Sequence, residues 1–473
     1  MLLQCVTLEG VRAHQEQLQK IADSNDDPFY PGTRAAGTEG YANSVDYVAG
    51  LLEDAGYQVS LDPFEFQFVF PALLRQLSPA DAEYETGAFT GTGAGDVTGA
   101  VIPVDINLAP PRATTSGCEP EDFANLDFTG ATDIALIQRG TCSFAQKAIN
   151  AEAAGAEAVV IFNQGNDATR LGLIVGTLGG TNVVGIPVVG ASFGNGEALA
   201  QPGATAHVRV IESQIRTDVN IIAELPGVND NNVVMGGSHL DSVGAGPGIN
   251  DNGSGSSALL EVALQMAKLR PQNTLRFAWW GAEESGLIGS TAYVNGLIPA
   301  ERDRIALYMN YDMVGSPNYV TMVYDADQST FEAPVDVPAG STAIEDLYES
   351  YYTFIGEPYD DTAFSGRSDY QAFIVNGIPS GGLFTGAEVM KTAEQVGIWG
   401  GTAGAQFDPC YHQACDTFAN NASHALEVNA DLIAFAQLTF AYSTESVNGV
   451  PGARVPGPPL NLPAPAGPEG TFG

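Results

Sequence analysis

Apolar side chains recur at helical spacing near the start of the chain. Leu8, Val11, Leu18 and Ile21 share one face of residues 8–22, which predicts a surface helix. Residues 40–55 repeat the pattern and run into Gly56, a residue type that commonly ends a helix. The stretch YQVSLDPFEFQFVF behind it reads as a strand. From about residue 63 to 215 the character changes. Gly, Pro and Thr become frequent, and short apolar runs such as 100–104 and 134–138 are separated by turn residues. Within this region DIALIQR, SFAQKAINAEAAG and AEAVVIFN predict strand, helix and strand, one βαβ unit.

From residue 217 onward strands and helices alternate. The runs NVVMGGSH, TLRFAWW, RIALYMNYD and YVTMVYD predict buried strands of a mostly parallel sheet. Between the first two, SGSSALLEVALQMAKL carries Leu259, Val262, Ala263, Met266 and Leu269 on one helical face. Thr342 and Glu345 have the spacing of a capping box opening a helix through Ile355, and residues 423–442 supply a last helix. The tail from 446 to 473 is rich in Pro and Gly and reads as a linker or a disordered end.

A chain of 473 residues is too long for one ordinary core, so two domains are expected. With 44% hydrophobic and 16% charged residues the composition is globular. Asp and Glu number 56 against 18 Lys and Arg, a net charge of -38. A polyanion of this kind repels phosphate backbones and anionic lipid, which excludes nucleic acid and membrane surfaces as partners. No apolar run approaches the ~18 residues of a membrane span, and the first residues are too short for a signal peptide. The five cysteines give two candidate pairs, Cys118 with Cys142 and Cys410 with Cys415, and an odd thiol at Cys5. That usage points to an oxidising compartment and a secreted protein. Nothing in the sequence specifies an oligomeric state.

The chemistry gathers where strands end. His239 closes the first of the four runs and is followed by Asp241; Asp251 lies in GINDNGSG; Glu283 and Glu284 follow WWGA; Asp312 ends NYD; and His412 sits in CYHQAC. In a parallel α/β sheet the loops at the carboxyl ends of the strands converge on one crevice. Each residue alone has an ordinary reading, as a core histidine, a turn aspartate or an acid at a helix start. Together, His239, Asp251, Glu284, Asp312 and His412 form a donor set for two Zn²⁺ ions, each taking one histidine and one carboxylate, with an aspartate shared between them.

The strings HLDSVGAGPGINDNGSGSSALLE, WWGAEESGLIGS, YDMVGSPN, FSGRSDYQAFI, GGLFTGAE and DPCYHQACD resemble the M28 zinc aminopeptidases, in particular their secreted leucine-type members, over residues 8–60 and 217–442. The resemblance implies that His239 and Asp312 bind one zinc, Glu284 and His412 the other, and Asp251 both. It makes Glu283 the general base, Tyr411 the donor to the oxyanion, Asp241 the acid that orients His239, and Arg367 a residue near the site of the substrate's free amine. It implies a peptide substrate with a large apolar N-terminal residue. Calcium is a further possibility from the same source, through Glu427 or Asp431, although the N-terminal part of that site is unmatched near Cys5. GCEPEDF, IALIQRGTCSFAQKAINAEAAGAEAVVIFN and GIPVVGAS are similar to the protease-associated (PA) domain, which implies a Cys118–Cys142 disulfide and a lid or docking role. The fold class that follows is α/β, a mostly parallel or mixed sheet flanked by helices with an inserted β-rich PA domain. The expected domains are 1–62 with 216–445, an insert over 63–215, and the tail 446–473.

Four rival readings compete with this one. Gly190-Ala191-Ser192-Phe193-Gly194 matches a serine-hydrolase elbow, but little helix fits between it and Pro202. A PA-bearing receptor that lost its metals predicts substituted ligands, and all five are present. A carboxypeptidase-like member and a glutaminyl cyclase are the alternatives inside the family; the cyclases use one working zinc, which the complete ligand set argues against.

Overall fold

The computed structural model describes residues 5–458 and 460–472. The chain divides into two compact units, one made of Met1–Phe66 and Ile215–Gly473 and the other of Gln67–Gln214.

The first unit opens on two helices of the expected character. Thr7 and Thr38 cap Leu8–Ser24 and Glu39–Ala55 through their hydroxyls, and Gly56 ends the second at φ 99°, a left-handed conformation that glycine adopts without steric cost. The chain leaves along β1 (Gln58–Phe68). The second unit then supplies β2 (Leu73–Ser78), β3 (Ala82–Tyr84), β4 (Gly95–Val104), β5 (Ile134–Gln138), β6 (Ala158–Phe162), β7 (Val188–Ala191) and β8 (Thr205–Val210). They form one sheet in the order β3-β2-β8-β4-β5-β6-β7. The predicted βαβ unit is present: β5 and β6 pair in parallel, joined by the helix Phe144–Ala154. Cys118 is bonded to Cys142 in this unit, Cys410 to Cys415 in the other, and Cys5 is free and exposed. Ser192 caps the helix Phe193–Leu199 by accepting the Asn195 N–H, a structural task that accounts for the apparent elbow.

β9 (Gln214–Leu225) returns the chain to the first unit, followed by β10 (Asn229–His239), β11 (Asn273–Trp280), β12 (Ile305–Tyr311), β13 (Met322–Tyr324), β14 (Asp360–Thr362) and β15 (Ser380–Phe384). The order β1-β9-β11-β10-β12-β15-β13-β14 makes a mixed sheet. Its centre, β11-β10-β12-β15, is parallel, while β9 and β13 pair antiparallel. Alternate strand residues face two cores. Phe277 and Trp279 join Val11, Leu52, Leu259 and Leu426 under the helices Leu8–Ser24, Glu39–Ala55, Gly253–Met266 and Ser423–Tyr442. Ala278 and Trp280 pack with Tyr293 and Phe373 on the other face. Both tryptophans are fully buried. This double-sided cover is why the central runs read as continuously apolar.

Two local expectations need correction. Thr342 caps nothing: the helix Ser341–Ile355 begins one residue earlier, after Gly340 in a left-handed turn, and has no side-chain cap. Glu345 instead accepts the backbone N–H of Asp327. Among the described residues the Pro- and Gly-rich end has no helix or strand beyond Asn448, yet its last segment is fastened. Ala466 N–H donates to the Thr353 hydroxyl, Gly467 N–H to the Tyr359 hydroxyl, Glu469 N–H to the Tyr359 carbonyl and Gly470 N–H to Asp360.

Candidate metal centre

Parallel register brings the predicted residues to one sheet edge. His239 pairs with Trp280, and Gly237 with Asn310, so β10, β11 and β12 end level with one another. His239, the Glu283–Glu284 pair and Asp312 leave from those ends. Asp251 stands just ahead of the helix Gly253–Met266, whose N-terminus favours a carboxylate. His412 arrives from the loop that Cys410–Cys415 closes.

Asp251 presents its two oxygens to two different imidazoles. Oδ1 lies 3.3 Å from His239 Nε2 and Oδ2 lies 3.2 Å from His412 Nε2. On the outer sides, Asp312 Oδ1 is 3.3 Å from His239 Nε2, and Glu284 Oε2 is 3.1 Å from His412 Nε2. Donors placed about 2.0–2.1 Å from a tetrahedral zinc stand roughly 3.3 Å from each other. The spacing therefore fits one such ion on each side of Asp251. Glu284 Oε1 is buried with no hydrogen-bond partner, which leaves it available in the same cluster. Glu283 completes a triad with His239 and Asp312.

The electrostatics are those of acids and imidazoles serving as each other's counter-charges. Burial disfavours the charged form of His412, but Asp251 and Glu284 outweigh it and lift its pKa to about 10. Burial and Asp251 raise Glu284 to about 7, against the pull of His412. Glu283 is lifted well above the usual carboxylate range by burial and by Glu284 and Asp312. Three residues beside the donors or among them, Ala282, Met313 and His412, hold φ of 52°, 53° and 57° without being glycine. Strain of this kind costs about 1–3 kcal/mol per residue and persists where surrounding packing imposes it.

Asp241 and Arg367 each contact more than one group of the site. His239 Nδ1 faces the Asp241 carbonyl at 3.1 Å, with the carboxylate at 3.7 Å. That carboxylate accepts the backbone N–H groups of Glu283 (3.2 Å) and Glu284 (3.3 Å), so Asp241 also aims the glutamate pair. Arg367 pairs with Glu388 at 2.7 Å and donates to the Tyr411 hydroxyl at 3.1 Å, while the Tyr411 ring stacks on His412 at 3.8 Å. Asp251, Glu283, Glu284, Asp312, Arg367, Tyr411 and His412 line a cavity of about 100 Å³, walled on its apolar side by Met313, Tyr324, Ala363, Phe384 and Ala387.

Several supporting residues went unrecognised in the sequence. Ser368 donates to Asp312 Oδ2 at 2.6 Å and accepts from Asn310, whose carbonyl oxygen accepts from Tyr308, which in turn accepts from Trp280. Asp416 accepts the N–H groups of Asn250 (2.8 Å) and Asp251 (2.9 Å). Fully buried Arg34 donates to the Leu240, Pro247 and Gly248 carbonyls and so holds the loop between His239 and Asp251. Asn252, fully buried, ties that loop to β12 through the Tyr311 carbonyl and the Met313 N–H. The only sequence signal was proximity to the metal motifs for Asn252, Asn310, Ser368 and Asp416; Arg34 gave none. Glu427 and Asp431 belong to no group of three potential ligands among the described residues, and Met1–Gln4 lie outside those residues.

The family model for Peptidase family M28 matches residues 220–437, and that for the PA domain matches 97–199. An aminopeptidase of Pseudomonas aeruginosa is 48% identical over 456 residues, covering 94% of this chain and 83% of the relative. The chain belongs to peptidase family M28. A probable leucine aminopeptidase 2 of Aspergillus fumigatus is 41% identical, with 94% of this chain and 86% of that one covered. The solved structure of a zinc aminopeptidase from Bacillus subtilis aligns with a TM-score of 0.64 at 26% identity, covering 94% and 98% of the two chains. This M28 enzyme is an aminopeptidase with a mixed α/β catalytic fold and a PA domain.

Proposed function

We propose that this M28 enzyme is a two-zinc aminopeptidase that releases large apolar residues from peptide N-termini. The observation that carries the reading is the division of the Asp251 carboxylate between His239 and His412, with Asp312 and Glu284 completing the two sides. His239 and Asp312 would hold one ion, His412 and Glu284 the other, and Asp251 both. When bound, such a pair supplies a water of lowered pKa and polarises the scissile carbonyl.

The chain's own groups do the rest. Glu283, aimed by Asp241, takes the proton of the attacking water and delivers it to the leaving amine nitrogen. The Tyr411 hydroxyl, oriented by Arg367 and by stacking on His412, donates to the carbonyl oxygen as it gains charge. The apolar wall of Met313, Tyr324, Phe384 and Ala387 suits a large aliphatic or aromatic side chain. Two disulfides suit an oxidising, extracellular setting, and no described helix is long and apolar enough to cross a membrane.

A panel of aminoacyl-anilides tests this, assayed with and without chelator and again after zinc is restored. Leucine and phenylalanine derivatives should be cleaved fastest, activity should vanish with the metal, and two zinc ions per chain should restore it. Full rate in the metal-free enzyme would end the proposal.

A further inference from the structure

A second acidic cluster lies away from the catalytic donors. The loop that follows β13 carries Asp325 and Asp327. Asp325 accepts the N–H groups of Ser329 and Thr330 at 3.0 Å, and Asp327 accepts that of Ser329 at 2.8 Å, which folds both acids against one turn. Glu345 and Glu349 are one turn apart on the helix Ser341–Ile355 and so share a face. Asp361 comes from β14. Carboxylate oxygens of Asp325, Asp327 and Glu345 lie within 4.8 Å of one another, and so do those of Glu345, Glu349 and Asp361.

Four of these acids are buried: Asp325 is 1% exposed, Glu345 3%, Asp361 3% and Glu349 8%. The hydroxyls of Ser329 and Thr330 donate to Asp361 Oδ2, but Oδ1 is buried with no hydrogen-bond partner. The charged groups acting on Glu345, Glu349 and Asp361 are all carboxylates, namely Asp325, Asp327, Asp346, Asp360 and one another. Burial of unpaired carboxylates is costly unless a proton or a cation neutralises them.

We propose that Asp325, Asp327, Glu345, Glu349 and Asp361 form a calcium site, distinct from the catalytic centre. The donor set is all oxygen, with no imidazole or thiolate, which selects hard cations over zinc. Oxygens on opposite sides of a calcium ion, each about 2.3–2.6 Å from it, stand about 4.6–5.2 Å apart. The observed grouping falls within that span. Magnesium demands a tighter octahedron and keeps its waters, which suits a buried multi-carboxylate cluster less well.

The site has a structural consequence for the cleft. Tyr324, just before Asp325, and Thr362, just after Asp361, both line the catalytic cavity, and β13 pairs with β14. A cation there fastens the ends of both strands. It also braces the last segment of the chain, because Thr471 donates to Asp360 and Phe472 packs on Phe331 at 5.2 Å.

The competing account is that the cluster only stores protons, since burial lifts Glu345 to about 9 and Glu349 to about 8. The full chain, zinc-replete and exchanged into calcium-free, zinc-buffered solution, separates the two. Calcium chloride titrated calorimetrically should give a saturable single-site heat and raise Tm by a few degrees; magnesium chloride should do neither at equal concentration. A Glu345→Gln, Asp361→Asn variant should lose the heat and the Tm response while keeping its zinc. Its Tm without calcium should match or exceed that of the parent, because like charges have been removed. Absence of any calcium response in the parent, an equal response to magnesium, or an unchanged response in the variant would overturn the assignment. Zinc content and anilide turnover, measured on the same samples, report on the catalytic centre separately.

Discussion

Exchanging Glu283 for glutamine removes one charge and one proton-accepting site while leaving the volume of the side chain nearly unchanged. The carboxyl is 8% exposed, and burial, with Glu284, Asp312 and Asp369, raises its pKa well above the usual 4.5 against the pull of His239. A carboxylate beside the attacking water serves as its proton acceptor, and general acid–base catalysis contributes about 10²–10⁴ in rate. At about 1.4 kcal/mol per tenfold, that is about 3–5 kcal/mol of barrier. Glu283→Gln should therefore lower kcat on leucine anilide by about 10²–10⁴ and move KM little, with zinc content unchanged. The metal-free variant should unfold no earlier than the metal-free parent, since a disfavoured buried charge is gone. Glu284→Gln is the contrast: it removes a donor 3.1 Å from His412 and should act through loss of zinc. If Glu283→Gln keeps more than a tenth of parental turnover at full zinc occupancy, the proton does not travel through this carboxylate.

Asp416→Asn should weaken zinc affinity about 10–100-fold by removing the charge that holds the Asn250 and Asp251 N–H groups, measured by competition with a chromogenic chelator. Tyr411→Phe should lower kcat by about 10²–10³ while zinc content holds, in the range for one oxyanion donor; an unchanged kcat would remove the hydroxyl from the mechanism. Trp280→Ala empties a fully buried position and should cost about 3–5 kcal/mol, read from denaturant unfolding. Without calcium, Glu345 has a folded pKa of about 9 against 4.5 unfolded, with Asp325, Asp327 and Glu349 facing it. The folded chain then binds the extra proton, so stability is greatest below about pH 4.5 for this group and is lost as pH rises towards 9. The slope from this group is at most about 1.4 kcal/mol per pH unit, so Glu345→Gln should flatten the profile by up to that amount, and added calcium should flatten it too.

What the sequence disclosed and what it hid follow from the range of the interactions involved. Buried parallel strands are uniformly apolar because both faces are covered, so β10, β11 and β12 were legible, and with them the level at which His239, Glu283, Glu284 and Asp312 emerge. The helix stop at Gly56 is decided within a turn or two of chain, and it read correctly for that reason. The Thr342–Glu345 spacing misled because a local pattern met a tertiary competitor: Glu345 is drawn to the loop at Asp327. Residues that steady the metal loops were hidden for the converse reason. Arg34 reaches carbonyls more than two hundred positions ahead of it, and Asp416 reaches N–H groups 165 and 166 positions before it. Neither has a local pattern, since an arginine in a Pro- and Gly-rich turn or an aspartate after a cysteine is ordinary in any loop. The acidic cluster combines both cases. Asp325 and Asp327 are close in sequence and look like solvated loop acids, and only the fold sets Glu345, Glu349 and Asp361 against them. The costly feature is therefore the burial of those carboxylates together, an arrangement whose energy depends on a counter-ion that no stretch of sequence could specify by itself.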